Sequence, residues 1–293
     1  MRFGVHVSIA GSIDKAVDRA EEKTCETFQI FTRNPRGWKF EPLTLEEAVS
    51  FRRKLENARI GPVIDHMPYL PNLASPNDDV YELSKRTLVA ELERSGQLGI
   101  PYLVTHLGSH QGSGVEQGRD RIVKAVNLAL SRVDNEVIIL LENTAGTKNS
   151  MGSTFEEMKH ILNRIDQPDR VGVCLDTCHA FAAGYELRDE EGVDITLKEL
   201  DRVIGLEKLK VVHANDSKGD LGSHIDRHEH IGLGCIGEGG FKALLRRKEL
   251  QLLPFILETP VDRRRDDIGN LKKIRELAED RKPIKPRPKL KLT

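Results

Sequence analysis

Metal-ligand side chains recur at the ends of the short apolar runs in this chain. Seven of these runs end in such a residue, at His6, His66, His106, Glu142, Asp176, His213 and Glu258. Their spacing is roughly 35 residues, the length of one β-strand plus one crossover helix. Because the carboxyl ends of parallel strands meet at one rim, we expect these side chains to lie close together.

Two short clusters add ligands to this series. In Asp176-Thr-Cys-His179 a histidine lies three residues beyond a strand-end aspartate, and in Asp226-Arg-His228 both side chains point the same way if the segment is extended. The candidate ligand set is His66, His106, Glu142, Asp176, His179, His213, Asp226, His228 and Glu258. Imidazole and carboxylate without thiolate suit Zn²⁺, Mn²⁺ or Fe²⁺. This set is large enough for two or three ions, with positions left open for water and substrate.

Each of these residues taken singly has an ordinary structural explanation. A strand-end histidine is more often a hydrogen-bonded structural group, and a strand-end aspartate often caps the next helix. The joint pattern favours metal, because carboxylates packed at one rim repel one another strongly unless cations lie between them. His6 and His110 are expected to orient ligands, and Cys174 and Cys178 to be packing residues.

An eighth apolar run, Thr27–Phe31, ends in a loop rather than in a ligand. Strands are therefore predicted near residues 3–7, 27–31, 63–66, 102–106, 137–142, 171–176, 209–213 and 254–258. Capping boxes predict helix starts at Thr44–Glu47 and Ser153–Glu156, and longer helices are predicted at 80–98 and 122–133. Ile268, Leu271, Ile274 and Leu277 predict one apolar face on the helix after the last strand.

Eight strand-and-helix units predict an α/β fold, a single (β/α)8 TIM barrel over residues 1–280 with its active site at the C-terminal rim of the strands. A doubly wound open sheet shares the alternation, but its ligands would gather at one switch point. Residues 281–293 are basic and rich in proline, which predicts a flexible tail.

The composition limits the possible environments and partners. The chain has 293 residues and a formal net charge of −1, so its overall charge does not indicate a nucleic-acid partner. We find neither a signal peptide nor an apolar stretch of ~20 residues, and therefore expect a cytoplasmic protein without membrane contact.

Five segments carry a resemblance to a known family. They are Leu141-Glu-Asn-Thr-Ala-Gly146, Gly172-Val-Cys-Leu-Asp-Thr-Cys-His-Ala-Phe-Ala-Ala-Gly-Tyr185, His213-Ala-Asn-Asp-Ser-Lys218, Asp226-Arg-His-Glu-His-Ile-Gly-Leu-Gly234 and Leu257-Glu-Thr-Pro260. Together they resemble the signature segments of endonuclease IV, the zinc-dependent apurinic/apyrimidinic endonuclease of base excision repair. The resemblance extends from Phe3 to about Ala278.

The resemblance implies a (β/α)8 barrel with three zinc ions per chain, although Mn²⁺ can replace zinc in part. It implies that His66, His106 and Glu142 hold one zinc. Glu142 would bridge to a second zinc, which Asp176, His213 and Glu258 complete. The third zinc would be held by the remaining ligands, His179, Asp226 and His228. Glu142 and Glu258 are the expected catalytic residues.

The implied substrate is duplex DNA with an abasic site or a blocked 3′ end. The phosphodiester 5′ to the abasic site would be cut, leaving a 3′-hydroxyl and a 5′-deoxyribose phosphate. DNA contacts are expected from two loops on the ligand rim, at Arg33, Arg36, Trp38, Lys39, Tyr69 and Leu70. In the family such loops flip the abasic nucleotide out of the helix. The chain is expected to act as a monomer.

Two other classes of protein fit part of the pattern. A single-metal sugar isomerase or epimerase on a related barrel would use only Glu142, Asp176, His213 and Glu258, with the two glutamates as acid and base. The five other ligands would then have no role. A metal-storage or scaffold protein fits less well, because open coordination positions favour chemistry.

Overall fold

The computed structural model describes residues 1–280, so the predicted tail at 281–293 lies outside the described residues. Ten strands are assigned: β1 Arg2–Val5, β2 Phe28–Ile30, β3 Val63–His66, β4 Tyr102–His106, β5 Ile138–Glu142, β6 Val171–Asp176, β7 Leu209–His213, β8 Asp216–Ser217, β9 His228–Glu229 and β10 Pro254–Leu257. Nine α-helices accompany them within the same residues: α1 Lys15–Glu22, α2 Leu45–Ala58, α3 Asp78–Leu98, α4 Val115–Arg132, α5 Phe155–Leu162, α6 Thr177–Ala183, α7 Glu190–Val203, α8 Gly237–Arg246 and α9 Asp267–Glu279.

Eight parallel strands form the wall of the barrel, in the order β1-β10-β7-β6-β5-β4-β3-β2. The two end strands meet through a parallel bridge between His6 and Gln29, where the Val7 amide donates to the Gln29 carbonyl at 2.8 Å. The strands also approach closely at Gly4, where a Cβ atom would overlap the carbonyl oxygen of Thr27. The predicted TIM barrel and its eight strands are confirmed.

Apolar side chains fill the barrel in two layers. The larger layer lies between strands and helices, where continuous burial is the expected pattern for parallel strands covered by helices. The smaller layer closes the barrel interior with one residue from each of six strands: Ile64, Val104, Leu140, Cys174, Val211 and Ile256. We call this interior layer the floor.

Local sequence determines most helix starts, although α4 begins at Val115 and not near the predicted residue 122. Thr44 and Glu47 form the predicted capping box, each side chain bonding the other's backbone amide. The box predicted at Ser153 is wrong: Thr154 is the cap of α5, because its hydroxyl accepts from the Glu157 amide. Three of the four apolar positions predicted on α9 are buried, but Ile268 is exposed.

Within residues 1–280, the helices include none that combines the length and apolar character of a membrane span.

Candidate metal centre

The strand periodicity places the ligands directly above the floor. Side chains alternate across a strand, so a residue two positions after a floor residue also points inward. The six pairs of floor residue and ligand are Ile64 and His66, Val104 and His106, Leu140 and Glu142, Cys174 and Asp176, Val211 and His213, and Ile256 and Glu258. The interior above the floor is therefore a layer of imidazoles and carboxylates at the C-terminal rim.

Donor atoms of these residues converge in small groups, each spanning no more than 4.8 Å. Three groups are His66, His106 and Glu142; Glu142, Asp176, His213 and Glu258; and His179, Asp226 and His228. Glu142 belongs to two of them, and its carboxylate is fully buried. The membership of these groups is the same as that implied by the resemblance.

The hydrogen bonds of the histidines direct a lone pair toward the carboxylates. His66 Nδ1 lies 2.7 Å from the Met67 carbonyl oxygen, which can only accept, so Nδ1 carries the proton. Its Nε2 then presents a lone pair 3.2 Å from Glu142 Oε2. His228 likewise donates from Nδ1 to the Glu258 carbonyl at 2.9 Å, and its buried Nε2 has no hydrogen-bond partner among residues 1–280.

His179 repeats the arrangement: its Nδ1 donates to the Asn143 carbonyl at 3.0 Å, and its Nε2 lies 3.1 Å from Asp226 Oδ1. A lone pair facing a carboxylate oxygen is repulsive unless a proton or a metal ion lies between them, and a ligand histidine typically donates its other N–H to an oxygen in this way. The donor set and the unpartnered His228 nitrogen therefore fit bound divalent metal, with zinc as the best match to imidazole and carboxylate.

Opposite charges at the site shift several pKa values. Burial opposes ionisation of Glu142, but His106 and His213 hold the pKa of this carboxyl well below its usual range. Burial lowers the pKa of His179, but Asp176 and Asp226 outweigh that effect and raise the pKa to about 10. In the metal-free protein, protons on the histidines thus compensate the carboxylates, and metal binding must displace them.

Two asparagines that sequence reasoning missed orient Asp176. Asn215 Nδ2 donates to Asp176 Oδ2 at 2.7 Å, while Asn215 Oδ1 accepts from the Glu258 amide at 2.7 Å. Asn143 Oδ1 accepts from the Asp176 amide at 2.7 Å. Both asparagines lie within two residues of a ligand, at Glu142 and His213, and this proximity is the signal that could have identified them.

Asp216 fixes the loop that carries His228. Strand β9 pairs antiparallel with β8, which sets Ser217 opposite His228. The buried Asp216 carboxylate accepts backbone N–H groups from Gly232 at 2.9 Å and from Ile236 at 3.0 Å, among others. The chain that follows β9 is therefore anchored on a buried carboxylate.

The sequence analysis also assigned roles to His6, His110 and Cys174. His6 lies beside the ligands, with its Nδ1 3.1 Å from Gln29 Nε2, and burial lowers its pKa to about 4. The prediction for His110 is wrong, because its Nδ1 accepts from the Gly112 amide and caps a loop turn. Cys174 is part of the floor, and burial raises the pKa of its thiol to about 12, as expected for a packing residue.

Cys178, the second cysteine expected to be a packing residue, lies close to the ligand atoms. Its Sγ falls within 4.8 Å of donor atoms of Asp176 and His228. Burial, together with the nearby Asp176 charge, raises the pKa of the Cys178 thiol, and Sγ donates a long hydrogen bond to the Arg227 carbonyl. The thiol form therefore favours a packing role here as well.

Two cavities open at the rim. One, of about 530 Å³, is lined by ligands together with Phe31 and Tyr69. The adjacent one, of about 630 Å³, shares Phe31 and Tyr69 and extends to Arg36. Tyr69 is 67% exposed and packs edge-on against Phe31 with ring centroids 4.9 Å apart. Leu70, Lys39 and the half-buried Trp38 lie on the same two loops.

Arg33 is not placed where a DNA-contacting side chain is expected. Its guanidinium is buried, pairs through Nε with the buried Glu91 carboxylate, and donates from Nη1 to the Trp38 carbonyl at 3.2 Å. We therefore correct its prediction: Arg33 supports the loop from beneath. A loop arginine is expected to be exposed from sequence alone, because its partner on α3 is distant along the chain.

The chain matches known proteins over nearly its whole length. A family model described as a xylose isomerase-like TIM barrel matches residues 17–281. A probable endonuclease 4 from Methanoculleus marisnigri is 58% identical over 276 residues, which cover 94% of this chain and 98% of the relative. Another, from Nitrosopumilus maritimus, is 52% identical over 280 residues, covering 95% of this chain and 100% of the relative.

The chain also resembles solved structures. The crystal structure of endonuclease IV from Thermus thermophilus matches with a TM-score of 0.85 and 38% identity, covering 95% of this chain and 99% of that one. A D-tagatose 3-epimerase-like protein matches with a TM-score of 0.74 and 22% identity, covering 95% and 97%. At that identity the second likeness shows a shared fold alone.

Proposed function

Because the chain belongs to the endonuclease IV family of xylose isomerase-like TIM barrels, we propose that it cuts duplex DNA at abasic sites using three zinc ions. The bond hydrolysed is the phosphodiester 5′ to the lesion, which leaves a 3′-hydroxyl and a 5′-deoxyribose phosphate. The enzyme is a DNA-repair endonuclease, and blocked 3′ ends are a second substrate of the same site.

The convergence of three ligand groups on one rim supports this function most directly. Zinc in the first group would be held by His66, His106 and Glu142, and the other two groups would hold one ion each. A sugar isomerase would use only the group that contains His213 and Glu258. The shared Glu142 and the additional ligands favour phosphodiester chemistry, which must neutralise a highly charged transition state.

Bound zinc would supply a lowered pKa for water and positive charge for the phosphate oxygens. The protein's own residues prepare the site for this. The carboxylates of Glu142 and Asp176 are fully buried beside histidines, which excludes bulk water from the lower part of the site. Three divalent ions carry more positive charge than the four ligand carboxylates neutralise, so the rim would attract phosphate although the chain's net charge is −1.

Glu258 has a second role in this proposal. Its side chain lines the cavity and remains 23% exposed, unlike Glu142. Burial raises its pKa, but His213 and other histidines outweigh this and lower the pKa to about 2, so the carboxylate is ionised at neutral pH. The ionised carboxylate can hold metal and accept a hydrogen bond from an attacking water, and we assign it the uptake of that water's proton as the phosphate is attacked.

One incubation tests the function. Metal-loaded protein mixed with a duplex oligonucleotide containing one abasic site is expected to cut that strand once, 5′ to the site. A DNA polymerase should extend the new end, because it carries a 3′-hydroxyl. The matched duplex without the lesion should stay intact, and removal of metal by a chelator should abolish cutting. An uncut strand at stoichiometric, loaded enzyme would contradict the proposal.

Metal analysis of the same preparation separates the two enzyme classes. About three zinc ions per chain are expected from the ligand groups. One Mn²⁺ or Mg²⁺ per chain, together with intact abasic DNA, would instead favour an isomerase.

The DNA-contacting surface is proposed to consist of Arg36, Trp38, Lys39, Tyr69 and Leu70. Tyr69 lines both the cavity that contains the ligands and the neighbouring one, and we assign it to the place where a flipped nucleotide leaves the helix. An exposed aromatic ring contributes about 1–3 kcal/mol when a base stacks on it.

Tyr69→Ala is therefore expected to weaken binding of abasic duplex by about 1–3 kcal/mol while zinc content stays unchanged. Fluorescence anisotropy with a labelled duplex measures the change. Leu252→Ala is the control, since Leu252 is a large exposed apolar residue far from the rim loops in sequence. Equal affinity of the Tyr69 variant and wild type would refute the assigned contact.

A further inference from the structure

Two of the eight barrel strands, β1 and β2, contribute no predicted metal ligand to the layer above the floor. Six strands carry a ligand two residues above the floor, whereas β1 continues into His6 and β2 carries Gln29. His6 and Gln29 bridge each other where the barrel closes. Gln29 is fully buried. Burying a side-chain amide costs free energy unless its nitrogen and oxygen are hydrogen-bonded.

The Gln29 amide contacts two ligands of one group. Its Oε1 lies 2.8 Å from His213 Nε2, and its Nε2 donates to Glu258 Oε1 at 2.7 Å. Nε2 also lies 3.1 Å from His6 Nδ1. The orientation of the amide is determined by Glu258: a flipped amide would place its oxygen against a carboxylate that can only accept.

These bonds determine how His213 faces the metal group. Because Gln29 Oε1 can only accept, His213 Nε2 carries the ring proton. His213 Nδ1 is then the nitrogen available to bind metal, and it lies 2.9 Å from Glu142 Oε1 and 3.4 Å from Glu258 Oε2. One side chain thus selects the tautomer of one ligand and occupies one oxygen of another, and the two ligands lie on separate strands.

We propose that Gln29 is a positioning residue, which orients His213 and Glu258 for the metal that they share with Glu142 and Asp176. This inference rests on the proposed function only in taking the group as a metal site. Outer partners of metal ligands typically change metal affinity by 10–100-fold when they are removed. Gln29 acts through both ligands and does not bind metal itself.

The test replaces the amide by a side chain of similar length. Gln29→Met is expected to weaken zinc binding at one site by about 10–100-fold, measured by competition with a chromophoric chelator. The control is Thr27→Val, which removes a buried hydroxyl just before the same strand and its bond to the Pro62 carbonyl. Thr27→Val should stay within about twofold of wild type, and a Gln29→Met protein with wild-type zinc affinity would overturn the proposal.

Two further measurements separate positioning from a general structural role. Zinc should raise the melting temperature of Gln29→Met less than that of wild type, because weaker binding stabilises the folded state less. An equal rise would indicate that the amide only supports the fold. In the zinc-loaded wild type, ¹⁵N NMR should show His213 protonated at Nε2, and protonation at Nδ1 would also overturn the proposal.

These results do not depend on the DNA assay. If wild type failed to cut abasic DNA, the proposed function would fall, while the zinc affinities of the Gln29 and Thr27 variants would still decide whether Gln29 positions ligands.

Discussion

Glu258→Gln is expected to reduce cutting of abasic DNA by roughly 10²–10⁴-fold while leaving DNA binding close to wild type. The amide oxygen cannot take up a proton from the attacking water at neutral pH, which is the role assigned to the Glu258 carboxylate. The neutral amide is also a poorer metal ligand. The proposed DNA contacts lie on the rim loops, so affinity should persist. Single-turnover incision and anisotropy measure the two properties separately.

Glu258→Asp provides the matched variant, because it keeps the charge and shortens the side chain. It should retain zinc content better than Glu258→Gln and should cut faster. If Glu258→Gln cuts at a near-normal rate under saturating enzyme, Glu258 neither accepts the proton nor positions the water, and its assigned role is wrong.

Glu91→Gln is expected to lower the free energy of unfolding by about 3–5 kcal/mol. Glu91 is fully buried on α3, where it accepts from Arg33 Nε and from the Thr32 hydroxyl. Arg94, one turn further along α3, donates to the Thr32 carbonyl at 2.5 Å. Removing the carboxylate charge leaves the buried Arg33 guanidinium without its ion-pair partner. Urea unfolding monitored by circular dichroism measures the loss.

Glu82→Gln is the control on the same helix. Glu82 pairs with Lys85 but is 54% exposed, so its loss should cost at most about 1 kcal/mol. Glu91→Gln should also loosen the loop that carries Trp38, because Arg33 holds the Trp38 carbonyl. Equal stability of the two variants would show that the buried pair contributes no more than a surface pair.

The strands and the convergence of the predicted ligand side chains were predictable because both depend on local patterns. Most ligands directly end an apolar run or lie within three residues of a run's end, and two or three neighbouring positions determine how each one faces. The register places Asp176 opposite His213 and His106 opposite Glu142. Ligands predicted separately on different strands therefore lie at the same rim.

The supporting residues were not predictable in the same way. Gln29 is not a metal-ligand type, and its partners His213 and Glu258 are 184 and 229 residues away. The position of Arg33 was predicted wrongly for a similar reason: Glu91, its buried partner, lies 58 residues further on. The cap of α5 moved by one residue because Ser153 and Thr154 are both good caps, and local sequence does not choose between them.

The positions that tolerate substitution least should not simply be those nearest the ligand layer. Gly4 lies below the ligand layer, yet any side chain there would collide with the Thr27 carbonyl and force β1 away from β2. Two residues further along, the same strands carry His6 and Gln29. A substitution at Gly4 would therefore separate β1 from β2 and displace His6 and Gln29 at the rim. The place where these two strands close the barrel should be among the least variable parts of the molecule across lineages.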